Sequence, residues 1–251
     1  MRSFFAALQF LTLLPVPASR QARLEDLERS LAYYPLVGLL MGGLLVLLDA
    51  GFSRLFPVFL TSVLLVIALL LISGGLHCDG LVDTADGFFS SRPREEILRI
   101  MKDSHMGPMG AMAVVSVLVL KIAAFAAVPS PLRWWTFLLT PAAAYGAIML
   151  NIALLPYARP EGGLGAIFSR KRSLPLALVA AVTLMASGWV AGGMAGLSAV
   201  SGALLAGLAL ASWTHRKIGG YTGDTLGAVF EISAIMPALV ATAWGQAGGT
   251  V

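Results

Sequence analysis

Charge is what this sequence lacks most. Only 12% of its 251 residues are Asp, Glu, Lys or Arg, against about 25% in an ordinary soluble chain, so charge is too scarce to cover a water-facing surface. A single cysteine, Cys78, excludes an intrachain disulfide framework. The chain has three histidines; His77 and His105 stand too far apart in sequence to suggest a zinc site. No tandem repeat, low-complexity tract or linker divides the chain, so residues 1–251 read as one integral-membrane domain. The net charge of +4 and a pI near 9.5 suit nucleic acid at first sight. In a membrane chain the same excess reflects basic residues retained on the cytoplasmic side, and no nucleic-acid partner is expected.

Apolar runs fill the space that charge leaves, with 58% hydrophobic residues. A helical crossing needs about 20 residues. Seven spans are expected, at 33–51, 57–75, 109–128, 134–155, 175–193, 196–213 and 226–245, giving an all-α polytopic membrane protein. Residues 4–16 are too short to cross comfortably. Arg2, that run and the small Ala18 carry marks of a signal peptide. Nothing after them reads as a secreted soluble domain, so an interfacial or re-entrant segment is expected.

Seven spans sort the basic residues by side. Arg2, Arg20, Arg23, Arg29, Arg92, Arg94, Arg99, Lys102, Arg159, Arg170, Lys171, Arg172, Arg216 and Lys217 share one side, Arg54 and Arg133 take the other, and Lys121 lies within a span. That asymmetry predicts a cytoplasmic N-terminus, cytoplasmic long loops and an inner-membrane location.

The acids are gathered too. Six of the thirteen fall in residues 74–112, GGLHCDGLVDTADGFFSSRPREEILRIMKDSHMGPMGAM. Asp79, Asp83 and Asp86 are spaced i, i+4, i+7, which sets three carboxylates on one helical face. Like charges so arranged repel unless a cation joins them, and oxygen donors without clustered Cys or His favour Mg²⁺ or Mn²⁺. Gly80 and Gly87 are expected to leave room for a bulky anionic ligand near the backbone. Residues 93–102 predict a short surface helix whose Ile97, Ile100 and Met101 lie on the membrane.

Two further cytoplasmic loops can reach the same place. PYARPEGGLGAIFSRKRSL, at 156–174, combines glycines with cations suited to phosphate, although Arg170, Lys171 and Arg172 alone read as lipid-contacting topology signals. THRKIGGYTGDT, at 214–225, carries Gly223 and sets Asp224 at a helix start, with Glu231 seven residues on along the same face. The spans beginning near Gly107 and Thr225 should then bring Asp83 or Asp86 and Asp224 to one cavity. Lys121 needs a partner inside the membrane, for which a loop carboxylate or Asn151 is available. Asp49 should just reach the interface.

GGLHCDGLVDTADG, RIMKDSHMGPMGAM, YARPEGGLG and GGYTGDTLGAVFE, with the opening LQFLTLLPVP, together resemble the cobalamin synthase family, the adenosylcobinamide-GDP ribazoletransferases, nearly end to end. The resemblance implies a membrane transferase using Mg²⁺ that joins adenosylcobinamide-GDP to α-ribazole or its 5′-phosphate, releasing GMP. It implies metal ligation by Asp79, Asp83, Asp86, Asp103, Asp224 and Glu231, with Asp79, Asp83 and Asp86 also catalytic. Substrate contacts are implied for His77, Lys102, His105, Lys121, Arg159 and Gly223. Partners are these small molecules and the bilayer, with self-association or association with other corrinoid-pathway enzymes left open. Departures from the family pattern are Leu13 and Tyr145 where arginines are common, Cys78 for an apolar residue, Ala234 for an acid, and one glycine more than the usual EGLG. Two rival readings are weaker. A CDP-alcohol phosphotransferase would carry Ala-Arg after Asp79-Gly80, which is absent, and a cation-coupled transporter would keep its acids at mid-span.

Overall fold

The computed structural model describes residues 2–17, 23–163, 165–169 and 173–248. The signal-peptide residue Ala18, Arg20 and the basic trio Arg170, Lys171 and Arg172 lie outside them. The described chain is helical: α1 (Arg2–Leu11), α2 (Leu24–Ser30), α3 (Tyr34–Phe52), α4 (Val58–Ile72), α5 (Leu76–Phe88), α6 (Arg94–Ile100), α7 (Pro108–Ala127), α8 (Arg133–Leu154), α9 (Ala166–Ser169), α10 (Leu174–Ile218), α11 (Gly223–Ser233) and α12 (Met236–Gln246). Five helical stretches are long and apolar enough to cross a membrane, or six if the bent pair α4–α5 makes one more. With ten residues, α1 is too short to cross.

The expected seven spans differ from this count chiefly at α10. Residues 175–193 and 196–213 form one 45-residue helical run, broken where Gly192 and Gly193 leave helical geometry. Gly193 has φ +55, and a Cβ on Gly188 would lie 2.6 Å from the Gly196 carbonyl oxygen. In a continuous helix those residues would stand about 12 Å apart. The run therefore folds back on itself as a helical hairpin.

The long α8 forms the axis, buried along nearly its whole length between α3 and α10. The packing is backbone-close: a Cβ on Gly42 would meet the Leu138 carbonyl oxygen at 2.1 Å. Asn151 does not serve Lys121; its amide donates to the Ala147 and Gly207 carbonyls at 3.0 Å each, tying α8 to α10. Leu47, Leu71, Val119, Val190 and Leu205 point outward, as lipid-facing side chains do.

Asp49 has a partner that the sequence did not show. It is buried in a forked ion pair with Arg133, Nη2 to Oδ1 at 2.6 Å and Nε to Oδ2 at 3.1 Å, while Nη1 donates to the Phe125 carbonyl. Two charges thus satisfy each other where neither could stand alone.

α6 also differs from expectation. Ile97, Leu98 and Met101 pack on Phe88, Ala158 and Ile218, so its apolar stripe faces protein rather than lipid. Arg94 fixes the helix there by donating to the Ile218 and Ala158 carbonyls at 2.8 Å each.

Candidate active site

Gly74 and Gly75, both left-handed at φ +62 and +73, turn the chain by 89° between α4 and α5. α5 thereby leaves the spanning direction and lies against α11 and α7 at one end of the bundle. Gly80 and Gly87 serve this packing, and Gly80 also borders a cavity described below. A Cβ on Gly80 would sit 2.6 Å from the Asp224 carbonyl oxygen on α11, and one on Gly87 would sit 2.6 Å from the Met101 side chain.

Three connections meet beside α5. A parallel bridge pairs Tyr157 with Tyr221, with Tyr221 N–H donating to the Pro156 carbonyl and Ala158 N–H to the Tyr221 carbonyl, each at 2.8 Å. Next to it, Arg159 Nη2 pairs with Asp224 Oδ2 at 2.6 Å. Lys102 pairs with Glu161, whose carboxyl is thereby held below its usual range. Lys217, read as a topology signal, donates to the Phe88 carbonyl at 2.8 Å.

Two cavities open on this assembly. The larger, about 870 Å³, is lined by α1, the α4–α5 turn, Asp79, Asp83, Lys102 and Asp103. The smaller, about 290 Å³, is lined by His77, Asp79, Arg159, Gly223, Asp224 and a set of apolar and aromatic side chains. Asp79 belongs to both. The expected single cavity is thus two, with Asp83 in one, Asp224 in the other and Asp79 common to them. Burial pushes the Asp83 carboxyl up to about 7, reinforced by the negative charges of Asp224 and Asp79.

The other residues singled out in the sequence have distinct surroundings. Asp86 accepts the Gly107 and Gly110 N–H groups at 2.7 and 2.8 Å, so its carboxylate caps the start of α7. Those glycines are the seat of that carboxylate, since a Cβ on either would come within 2.4 Å of an Asp86 oxygen. Glu231 and Lys121 form an ion pair buried between α11 and α7. Asp103 accepts from His105 Nδ1 at 2.6 Å at the exposed rim, which lowers its carboxyl.

Sequence reading missed several contributors. His77 Nε2 lies 3.1 Å from the Tyr145 hydroxyl, and its ring stacks on Phe230 with centroids 3.9 Å apart. Tyr145, noted only as a missing arginine, is therefore a buried support for His77. Tyr34 and Phe168 line the smaller cavity; an aromatic in so apolar a chain gives no signal of its own.

Fold and site together define a polytopic helical membrane enzyme whose carboxylates and arginine gather at one end of the bundle. The family model of cobalamin-5-phosphate synthase matches residues 3–242. A Brevibacillus brevis adenosylcobinamide-GDP ribazoletransferase is 39% identical, covering 96% of this chain and 97% of the relative. Relatives of the same name in Geotalea daltonii and Pseudomonas fluorescens are 37% and 40% identical, covering 98% and 92% of this chain and 98% and 95% of their own lengths. No solved structure matches. The chain belongs to the cobalamin-5-phosphate synthase family, a family of transferases acting in cobalamin biosynthesis.

Proposed function

We propose that this chain joins adenosylcobinamide-GDP to α-ribazole or α-ribazole 5′-phosphate at the cytoplasmic face of the inner membrane, releasing GMP. The observation that carries the reading is Asp79, a carboxylate in the shared wall of two cavities, with Asp83 and Asp224 close enough to act on one another's charge. A ribazole hydroxyl attacks the phosphorus nearer the cobinamide, the P–O–P bridge breaks, and GMP departs with the bridging oxygen. Asp83 takes the hydroxyl proton on a carboxylate oxygen, a role suited to a carboxyl held near neutrality. Arg159 turns from Asp224 towards a phosphate oxygen, for which its buried, unpartnered Nε is a ready donor.

Among the described residues no three His, Cys, Asp or Glu side chains are grouped to hold a metal by themselves. Mg²⁺ is ordinarily held by one or two carboxylates together with substrate phosphates, and Asp79 and Asp224, which line the smaller cavity together, fit that mode. Bound there, Mg²⁺ would neutralise the diphosphate charge that builds as GMP leaves. Asp86 and Glu231 support this centre through helix capping and the Lys121 pair.

The assay is GMP release by the purified protein from adenosylcobinamide-GDP plus α-ribazole 5′-phosphate, with Mg²⁺ and with EDTA. Release is expected only with both substrates and the metal; release without metal would remove Mg²⁺ from the reading, and no release would remove the activity. Orientation rests on the basic asymmetry. In a Cys78→Ser background, cysteines at Arg94, Ser169 and Lys217 should react with an impermeant maleimide only from the cytoplasmic side. Labelling of any of them from outside would overturn the orientation.

A further inference from the structure

The two cavities differ in chemistry as well as size. The smaller is walled by Phe10, Leu11, Ile148, Phe168 and Leu226. Two buried donors at its lining residues have no hydrogen-bond partner: the Tyr34 hydroxyl and Arg159 Nε. Ser30 Oγ, which gives its own proton to the Leu27 carbonyl at 2.7 Å, stands beside the Tyr34 hydroxyl but outside hydrogen-bonding geometry. Buried donors left unmatched are costly, so a ligand that brings acceptors to them gains on entry. The larger cavity mixes polar groups, among them Gln9, Thr12, Ser73, Lys102 and Ser104, with apolar ones such as Leu13, Val82, Met106 and Val114.

We infer that the smaller cavity is the seat of the benzimidazole riboside and that the larger one receives the corrinoid diphosphate. The two substrates then reach Asp79 from separate cavities. This assignment rests on the transferase reading above. An alkylated benzimidazole carrying ribose keeps one ring-nitrogen acceptor, which Tyr34 can satisfy, and otherwise presents apolar surface to aromatic walls. Its ribose phosphate would lie by Arg159, next to Asp224. Guanine fits the same walls badly, because its several donors and acceptors would be buried without partners. A corrin ring is excluded by volume, since 290 Å³ falls just below the roughly 300–1,000 Å³ of ordinary ligand pockets.

The test combines steady-state kinetics with equilibrium titration of α-ribazole, followed by benzimidazole fluorescence, on the purified full-length protein. Ile148→Phe, with Leu226→Phe in its place if the first does not fold, should raise KM for α-ribazole 5′-phosphate at least about tenfold and leave KM for adenosylcobinamide-GDP within about twofold. Tyr34→Phe should weaken the same substrate by about two- to tenfold, the range of one neutral hydrogen bond. Val114→Trp, in the larger cavity only, should show the mirror pattern. If wild-type protein releases GMP while the cavity-filling variants raise KM for the GDP substrate instead, or change neither constant, the assignment is wrong. If wild-type protein releases no GMP, the transferase reading fails separately, and the pocket is judged by the titration, in which unaltered α-ribazole affinity of Ile148→Phe and Leu226→Phe would overturn it.

Discussion

Asp79→Asn should lower turnover by at least about a hundredfold, the scale of losing one group that stabilises transition-state charge, with no change in thermal unfolding in detergent. Asn keeps the shape and removes one charge from the wall that both cavities share. Asp86→Asn should do the reverse. Its two oxygens hold the first turn of α7, and an amide can offer only one acceptor while turning an NH₂ towards the second N–H. A stability loss of about 1–2 kcal/mol is expected, with the loss of activity secondary to it. Equal loss of turnover in both variants with unchanged melting would mean that Asp86 meets the reacting groups directly.

Lys121→Met should cost the molecule much of its stability. Lys121 and Glu231 are 1% and 2% exposed, so removing the cation strands a carboxylate between α7 and α11. Breaking such a pair from one side typically costs about 3–5 kcal/mol, whereas replacing both partners by apolar groups is often neutral. Lys121→Met together with Glu231→Leu should therefore recover most of the melting temperature lost by the single variant. If the double variant melts as low as Lys121→Met, the pair is not what holds the two helices. Activity of the double variant then separates structure from chemistry: recovered turnover leaves the pair structural, and lost turnover at full stability gives Lys121 or Glu231 a part in the chemistry.

Features legible in the sequence were those carried by periodicity or by rarity. Asp79, Asp83 and Asp86 fall at helical spacing in a chain with few acids, and α5 does carry them. The three basic loops meet, and the bridge between Tyr157 and Tyr221 joins two of them. Residue identity alone misled where one residue type serves several purposes. Gly80 and Gly87, read as room for a ligand, are filled on their Cβ side by α11 and by Met101 after α6, while Gly80 still borders the smaller cavity, because close helix packing and ligand approach need the same missing Cβ. Asp49 was isolated in sequence, and its partner Arg133 lies 84 residues away. The stripe on α6 showed that the helix had an apolar face without showing which apolar neighbour covered it.

The Tyr157–Tyr221 bridge also bears on how the chain tolerates changes of length. It fastens Pro156, Tyr157 and Ala158 to Tyr221 immediately before Arg159 meets Asp224. The glycine pair Gly162 and Gly163, with φ of +85 and +146, comes after that fastening. An added or deleted residue there lengthens or shortens a loop beyond the point where register is set, so the arginine keeps its aspartate. The same change between Leu155 and Arg159 would shift the guanidinium against its partner. Insertions should therefore accumulate on the far side of Arg159.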